Sequence, residues 1–316
     1  MSAALLLLGW VALMAWPGSA WLARHSFHDA PAVGIAVWQG ISASVVAGLV
    51  LGGLALAAGS DPLSHGLARL LETCELLVKS GYEAPGGTAA SSIGAVLVVV
   101  VLGRVSWSAA RTVVDGARRR RAWRLGLALV ADTDPATGAL VMPHSQPTAY
   151  CVPGHRGTVV VTSAARDALT AAQLRAVVDH ERSHLHQHHH VVVTAAAVLL
   201  DALPFLPVLR HAHRELQRLV ELMADDRAAT TSDRNVLAAA IGRVCPRETD
   251  DRSEPGRRND ERVRRLTSPA RALRRPVTGG ILTGAAFALG APALLFLVPV
   301  LTSAVTEHCA IAMHCA

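Results

Sequence analysis

Four long apolar blocks constrain this chain more than any other feature. They run from about Ala3 to Leu22, Ala32 to Ala58, Ala89 to Gly103 and Pro276 to Val305. A helix needs ~20 apolar residues to cross a hydrocarbon core of about 30 Å, and each block can do so, the third being the shortest. The bulk composition agrees. Hydrophobic residues make up 51% of the chain and charged residues only 17%, less charge than soluble domains carry.

Charge then orients the blocks. Of 30 Lys+Arg, 27 lie between Arg104 and Arg275. Membrane proteins keep such residues on the cytoplasmic side. A basic balance (+6) can also mark nucleic-acid binding, but there is no helix-turn-helix and no basic patch interleaved with aromatics. Pro17-Gly18-Ser19-Ala20 resembles a cleavage site for a signal peptide, yet no positive segment precedes it. Cleavage there would also put the Arg-rich block outside. The first block therefore reads as a true span.

The expected organisation follows. Residues 1–59 hold the first two transmembrane helices, with the N-terminus outside and Arg24 in a short cytoplasmic turn. Residues 60–88 form an external loop, 89–104 the third helix, 105–275 a cytoplasmic domain, 276–305 the fourth helix and 306–316 an external tail. Cys309 and Cys315 in that tail can pair in an oxidising compartment, with Cys74 in the other external loop, or stay as free thiols. No CxxC spacing marks the cysteines as metal ligands.

Within the cytoplasmic stretch, Ala139–Met142, Ala149–Val152 and Thr158–Thr162 read as short strands, the last two joined by a turn at Pro153-Gly154. Thr170-Ala171-Ala172-Gln173 is a capping box that opens a helix running to about His188. A second helix covers about His211–Ala229, and a third starts near Ser232. The Arg-, Asp- and Glu-rich stretch from Pro246 to Asn259 reads as a solvated loop.

The chemistry is concentrated in His180-Glu181-Arg182-Ser183-His184. Two His four apart project from one face of a helix, at a spacing that suits one Zn²⁺. Glu181 is placed to hold the attacking water and take its proton. Catalytic zinc needs a third protein ligand. His188 lies about 12 Å along the helix from His180, too far for one ion. Glu221-Leu222-Met223-Ala224-Asp225 offers Glu221 as the third ligand. Asp225, on the same face, can accept the spare N–H of a ligand His. The bland alternatives are a polar helix face and ordinary surface acids. His186, His188, His189 and His190 also keep open a non-enzymatic, His-rich metal handler.

HExxH followed by ExxAD resembles the membrane-embedded zinc peptidases of the gluzincin type. These include the HtpX/CAAX-protease relatives and the BlaR/MecR signal transducers. Ala149–Gly154 with Thr158–Thr162 is similar to the strand pair before the active-site helix, and Glu261-Arg262-Val263-Arg264-Arg265-Leu266 to an E-R-[IV]-x-x-L segment. Three spans, a peptidase domain and a fourth span resemble the BlaR/MecR arrangement in particular. The resemblance implies a mostly α membrane protein, with a cytoplasmic α+β zincin-like peptidase domain inserted between transmembrane helices 3 and 4. It implies one Zn²⁺ per chain on His180, His184 and Glu221, with Glu181 as catalytic base and Asp225 behind the ligands.

The chain departs from BlaR/MecR in having a short tail where they carry a penicillin-binding domain. Its single Lys, Lys79, stands in no S-x-x-K motif. The expected partners are therefore membrane lipid, a cytoplasmic protein substrate such as a winged-helix repressor of the BlaI/MecI type, and a separate sensor protein, with no direct nucleic acid. Self-cleavage in the loop near Pro246–Asn259 and quality control of the HtpX kind are the other substrate readings. An extended substrate is expected to add along an edge at Thr158, Val159, Val160 and Val161. His211, His213, Tyr150 and Arg262 are candidate donors to the oxyanion.

One condition tests the scheme. Val191–Leu209 is apolar apart from Asp201. If it crossed the bilayer once, His180 and Glu221 would lie on opposite sides and no site could form. Pro204 and Pro207 argue for a break instead.

Overall fold

The structure, a computed structural model, describes residues 3–25, 27–58, 87–154, 157–244, 254–268, 279–281 and 283–297. It is mostly helical, with one small sheet. Among the described residues, four helices are long and apolar enough to cross a membrane. They are α1 (Ala3–Leu22), α2 (Pro31–Ala57), α3 (Gly87–Val130) and α10 (Gly279–Leu297). The loop with Cys74 and the tail with Cys309 and Cys315, both expected to be external, and the end of the fourth apolar block lie outside the described residues.

Two of these apolar helices, α2 and α3, pack backbone to backbone. A Cβ at Gly94 of α3 would stand 2.5 Å from the Gly53 carbonyl oxygen and 2.7 Å from the Ala57 nitrogen, both on α2. Only glycine lets the two helices approach so closely, the usual device where lipid removes the hydrophobic drive for helix association. In α1, a π-helical turn at Met14–Gly18 accommodates Pro17, which has no N–H to give the helix. The third helix is longer than the apolar pattern implied. It runs unbroken for 44 residues, about 66 Å. The helix is continuous across 104/105, and its Arg-rich half extends the apolar half as one rod.

Four strands follow, β1 (Asp132–Thr133), β2 (Leu140–Met142), β3 (Ala149–Val152) and β4 (Thr158–Thr162). Their order in the sheet is β1-β2-β4-β3. A short helix, α4 (Ser163–Ala168), leads into α5 (Ala171–His186). The capping box at the start of α5 is formed. The Thr170 hydroxyl accepts from the Gln173 N–H at 3.3 Å, and the Gln173 side chain accepts from the Thr170 N–H at 3.1 Å.

The Val191–Leu209 question is answered by a helical hairpin. α6 (His189–Ala202) has only 14 residues, about 21 Å and short of a hydrocarbon core. The chain breaks at Leu203–Leu206, and α7 (Pro207–Ala228) returns against α6 and α5. Pro207 opens α7, where its missing N–H costs nothing. α6 is pinned to α3 by the Ser108 hydroxyl donating to Asp201 at 2.8 Å and by Arg104 donating to the Ala202 carbonyl at 2.6 Å. α7 packs its buried Leu209, Leu216 and Leu219 into one apolar core with Trp38 and Val45 of α2. The site-bearing helices are thus fixed to the apolar helices rather than tethered beside them.

α8 (Arg234–Val244) is capped by Asp233, whose side chain accepts from the Asn235 and Val236 N–H groups. α9 (Glu254–Thr267) begins inside the stretch that the sequence marked as loop. Pro255 falls in its first turn, where proline is tolerated. Residues 246–253 of that stretch lie outside the described residues.

Candidate metal centre

α5 and α7 cross with small residues at the contact. Ala176 of α5 and Ala224 of α7 are fully buried, and Ala176 packs with Ala228 of α7. His180 Nε2 lies 3.2 Å from His184 Nε2 and 3.4 Å from Glu221 Oε2, and His184 Nε2 lies 3.5 Å from Glu221 Oε1. Among the described residues, these three are the group whose donor atoms converge closely enough to hold one metal ion. Donors bonded to one tetrahedral Zn²⁺ stand roughly 3.4 Å apart. The three edges match, and the set of two imidazoles and a carboxylate is one that zinc uses in catalysis. The residues fit the ion. The His186–His190 run forms no second such group among the described residues.

A supporting shell holds the donors in place. Asp225 is fully buried, and its Oδ1 lies 3.0 Å from His180 Nδ1. Arg262 of α9, also buried, donates to both Asp225 oxygens at 2.8 and 2.7 Å and reaches Glu221 Oε2 at 3.1 Å. Such a bidentate, charge-assisted pair fixes orientation as well as adding energy. α9 is itself latched by Glu261, which pairs with both Arg218 of α7 and His28, and by Arg265, which donates to Asp226 at 2.7 Å.

The charges follow from this packing. Burial works against the Asp225 carboxylate, but the Arg262 hydrogen bonds and charge outweigh it and hold the group well below the usual range. Burial also opposes ionisation of Glu221, but the His180 hydrogen bond and Arg262 bring it down to about 2. Burial disfavours the His180 imidazolium, yet hydrogen bonds to Asp225 and Glu221 hold it up to about 9 without a metal. Burial, only partly offset by Glu221, pushes His184 down to about 4. Glu181 is raised to about 7 by burial, with Glu221 adding to the effect. A carboxylate near neutrality can both take and return a proton. Cys151 of β3 donates a hydrogen bond to Glu181, and its thiol is pushed up to about 12 by burial and the neighbouring carboxylates.

A cleft of about 530 Å³ opens over these groups, lined by Cys151, His184, His189, Glu221 and Arg262 among others. Of the four oxyanion candidates, only Arg262 lines it. Tyr150 is on the opposite face of β3, its hydroxyl near Met142 and its ring beside Trp123. His213 is engaged by Gln217 at 3.2 Å. One expectation needs correction. Val160 and Val161 are paired on both sides, with β2 and with β3, and offer no edge to a substrate, whereas Thr158 and Val159 pair with β3 alone. The open edge near the site is β3. The signal was present in the sequence, because Val159–Val161 is a continuous apolar run rather than an alternating one, as strands buried on both faces have.

The segment carrying His180, Glu181 and His184 also has known relatives. Residues 127–214 match the sequence model of Peptidase family M48. The match covers well under half of the chain and stops before Glu221. Its members are zinc-dependent, so it supports a zinc metallopeptidase. No curated protein and no solved structure matches the chain.

Proposed function

We propose that this chain is a membrane-integrated zinc endopeptidase. The observation that carries the reading is the convergence of His180, His184 and Glu221 at 3.2–3.5 Å, with Glu181 beside them. When bound there, Zn²⁺ supplies Lewis-acid polarisation of water and of the scissile carbonyl. Glu181 takes the proton of the attacking water and passes it to the leaving amine nitrogen. Arg262, already at the cleft, is positioned to stabilise charge developing on the carbonyl oxygen. An extended substrate adds to the free edge of β3, which brings its scissile bond past Cys151 toward Glu181.

In this proposal the Arg-rich half of α3 and the catalytic domain face the cytoplasm. The substrate is a cytoplasmic protein, in the BlaR/MecR manner a winged-helix repressor, or the chain's own Arg-rich segment around 246–259. Membrane-protein quality control is the second reading, favoured by the match to Peptidase family M48. The test is proteolysis by purified protein in detergent or lipid, comparing wild type with Glu181→Gln on a candidate repressor and an unfolded membrane protein. Cleavage should fall by about 10²–10⁴-fold in the variant while zinc is retained. Equal cleavage by both proteins would reject Glu181 as the base.

A further inference from the structure

Five histidines follow Glu181 within nine residues. The structure uses one of them in a way the run conceals. His188 is the only non-glycine among the described residues with positive φ, at 52°. This left-handed turn ends α5 and starts α6, and it folds His189 back under the metal group. His189 is 3% exposed, and its Nδ1 stands 3.0 Å from His184 Nδ1. The two rings are nearly perpendicular, at 82°.

We infer that His189 is a positioning residue for the metal centre, accepting a hydrogen bond from His184 and so fixing the tautomer and ring angle of that ligand. The inference rests on the zinc reading above. A metal takes the Nε2 lone pair of His184, so the ring's proton must sit on Nδ1. The atom facing that N–H is His189 Nδ1, which must then offer its lone pair and carry its own proton on Nε2. Each of the two nitrogen ligands thereby has a partner behind it, Asp225 for His180 and His189 for His184. Such partners orient the ligand and raise its basicity. The left-handed backbone at His188 serves this geometry, since only a sharp reversal returns the residue five positions after His184 to the same ring.

The test is zinc affinity of the full-length protein, measured by competition with a chromogenic chelator. Wild type, His189→Leu, His189→Asn and His189→Asp are compared, with melting of the zinc-free forms as the folding control. Leu fills the space but cannot accept, and should weaken zinc by about 10–100-fold. Asn and Asp present an acceptor oxygen and should recover most of that loss. Should His189→Leu fail to fold, the contrast between His189→Asn and His189→Lys, a donor-only side chain, decides in its place. Undiminished affinity in the Leu variant, or Asn and Asp as weak as Leu or Lys, would overturn the inference and leave the zinc reading intact. A wild type that binds no stoichiometric zinc would overturn both.

Discussion

Two helix seams hold this molecule together, and they are built on opposite rules. Between α2 and α3 the contact is made by absence. Gly53 and Gly94 remove side chains so that backbone meets backbone, and nothing polar is required. Between α5 and α7, which also pack directly on each other, the seam is filled with charge. His180, Glu221, Asp225 and Arg262 each touch two or more of the others. The apolar seam can be loosened anywhere along its length. In the polar seam, removing one group strands its partners in a buried site. The contrast predicts that substitutions in the first change stability alone, whereas those in the second change metal affinity and stability together.

The strongest way to break the comparison is Asp225→Ala. It removes the partner of His180 and leaves Arg262 buried without its bidentate acceptor. Zinc affinity should drop by about 10–100-fold, and stability by about 3–5 kcal/mol. Chelator competition and thermal melting report the two separately. A variant that loses one without the other would show that the polar seam is not a single unit.

Proton linkage sharpens the same seam. Without metal, His180 is held up to about 9, above its ordinary value, so it is charged at pH 7 and must lose a proton to bind zinc. Glu221, near 2, and His184, near 4, are already in their binding forms. Zinc affinity should therefore rise by about tenfold per pH unit from pH 7 to about 9 and then level off. Isothermal titration in buffers of different ionisation enthalpy measures the released proton. A flat profile would mean that the Asp225 and Glu221 hydrogen bonds do not hold the charged ring.

The smallest expected effect belongs to the other seam. Gly94→Val forces a side chain against the Gly53 carbonyl and the Ala57 nitrogen, neither of which can move aside without bending a helix. A loss of about 1–3 kcal/mol is expected, with zinc affinity unchanged. Gly103→Ala, where nothing lies within 4 Å, is the matched control and should be near neutral. Loss of zinc in Gly94→Val would show that the seams are coupled.

What was legible in the sequence follows the same division. The apolar helices announced themselves as blocks, but their mutual packing did not, because they are apolar all round and carry no periodic face. Local spacing revealed the His180–His184 pair, and the ExxAD pattern led to Glu221 and Asp225. Arg262 was visible as part of a resembling segment and as an oxyanion candidate, but not as the partner of Asp225. Its grip on Asp225 joins positions 37 residues apart in the chain, which no local pattern encodes. His189 was hidden among identical neighbours, since the left-handed turn at His188 cannot be read from a run of histidines. The loss of a free edge at Val160 and Val161 was not legible, because the parallel pairing of β2 with β4 depends on a long-range return. The start of α9 was missed because Arg, Asp and Glu with Pro and Gly read as a loop, while Leu266 and Arg262 anchor it as a helix only through tertiary contact.

The most direct test of the central claim is X-ray absorption at the zinc edge on purified protein, with metal content measured on the same sample and on Glu221→Ala. The account predicts one zinc per chain with two imidazole nitrogens and carboxylate oxygen in its shell, and loss of the oxygen ligand with much weaker retention in the variant. A shell of three or more imidazoles, unchanged in Glu221→Ala, would place the metal on the His186–His190 run and contradict the peptidase centre.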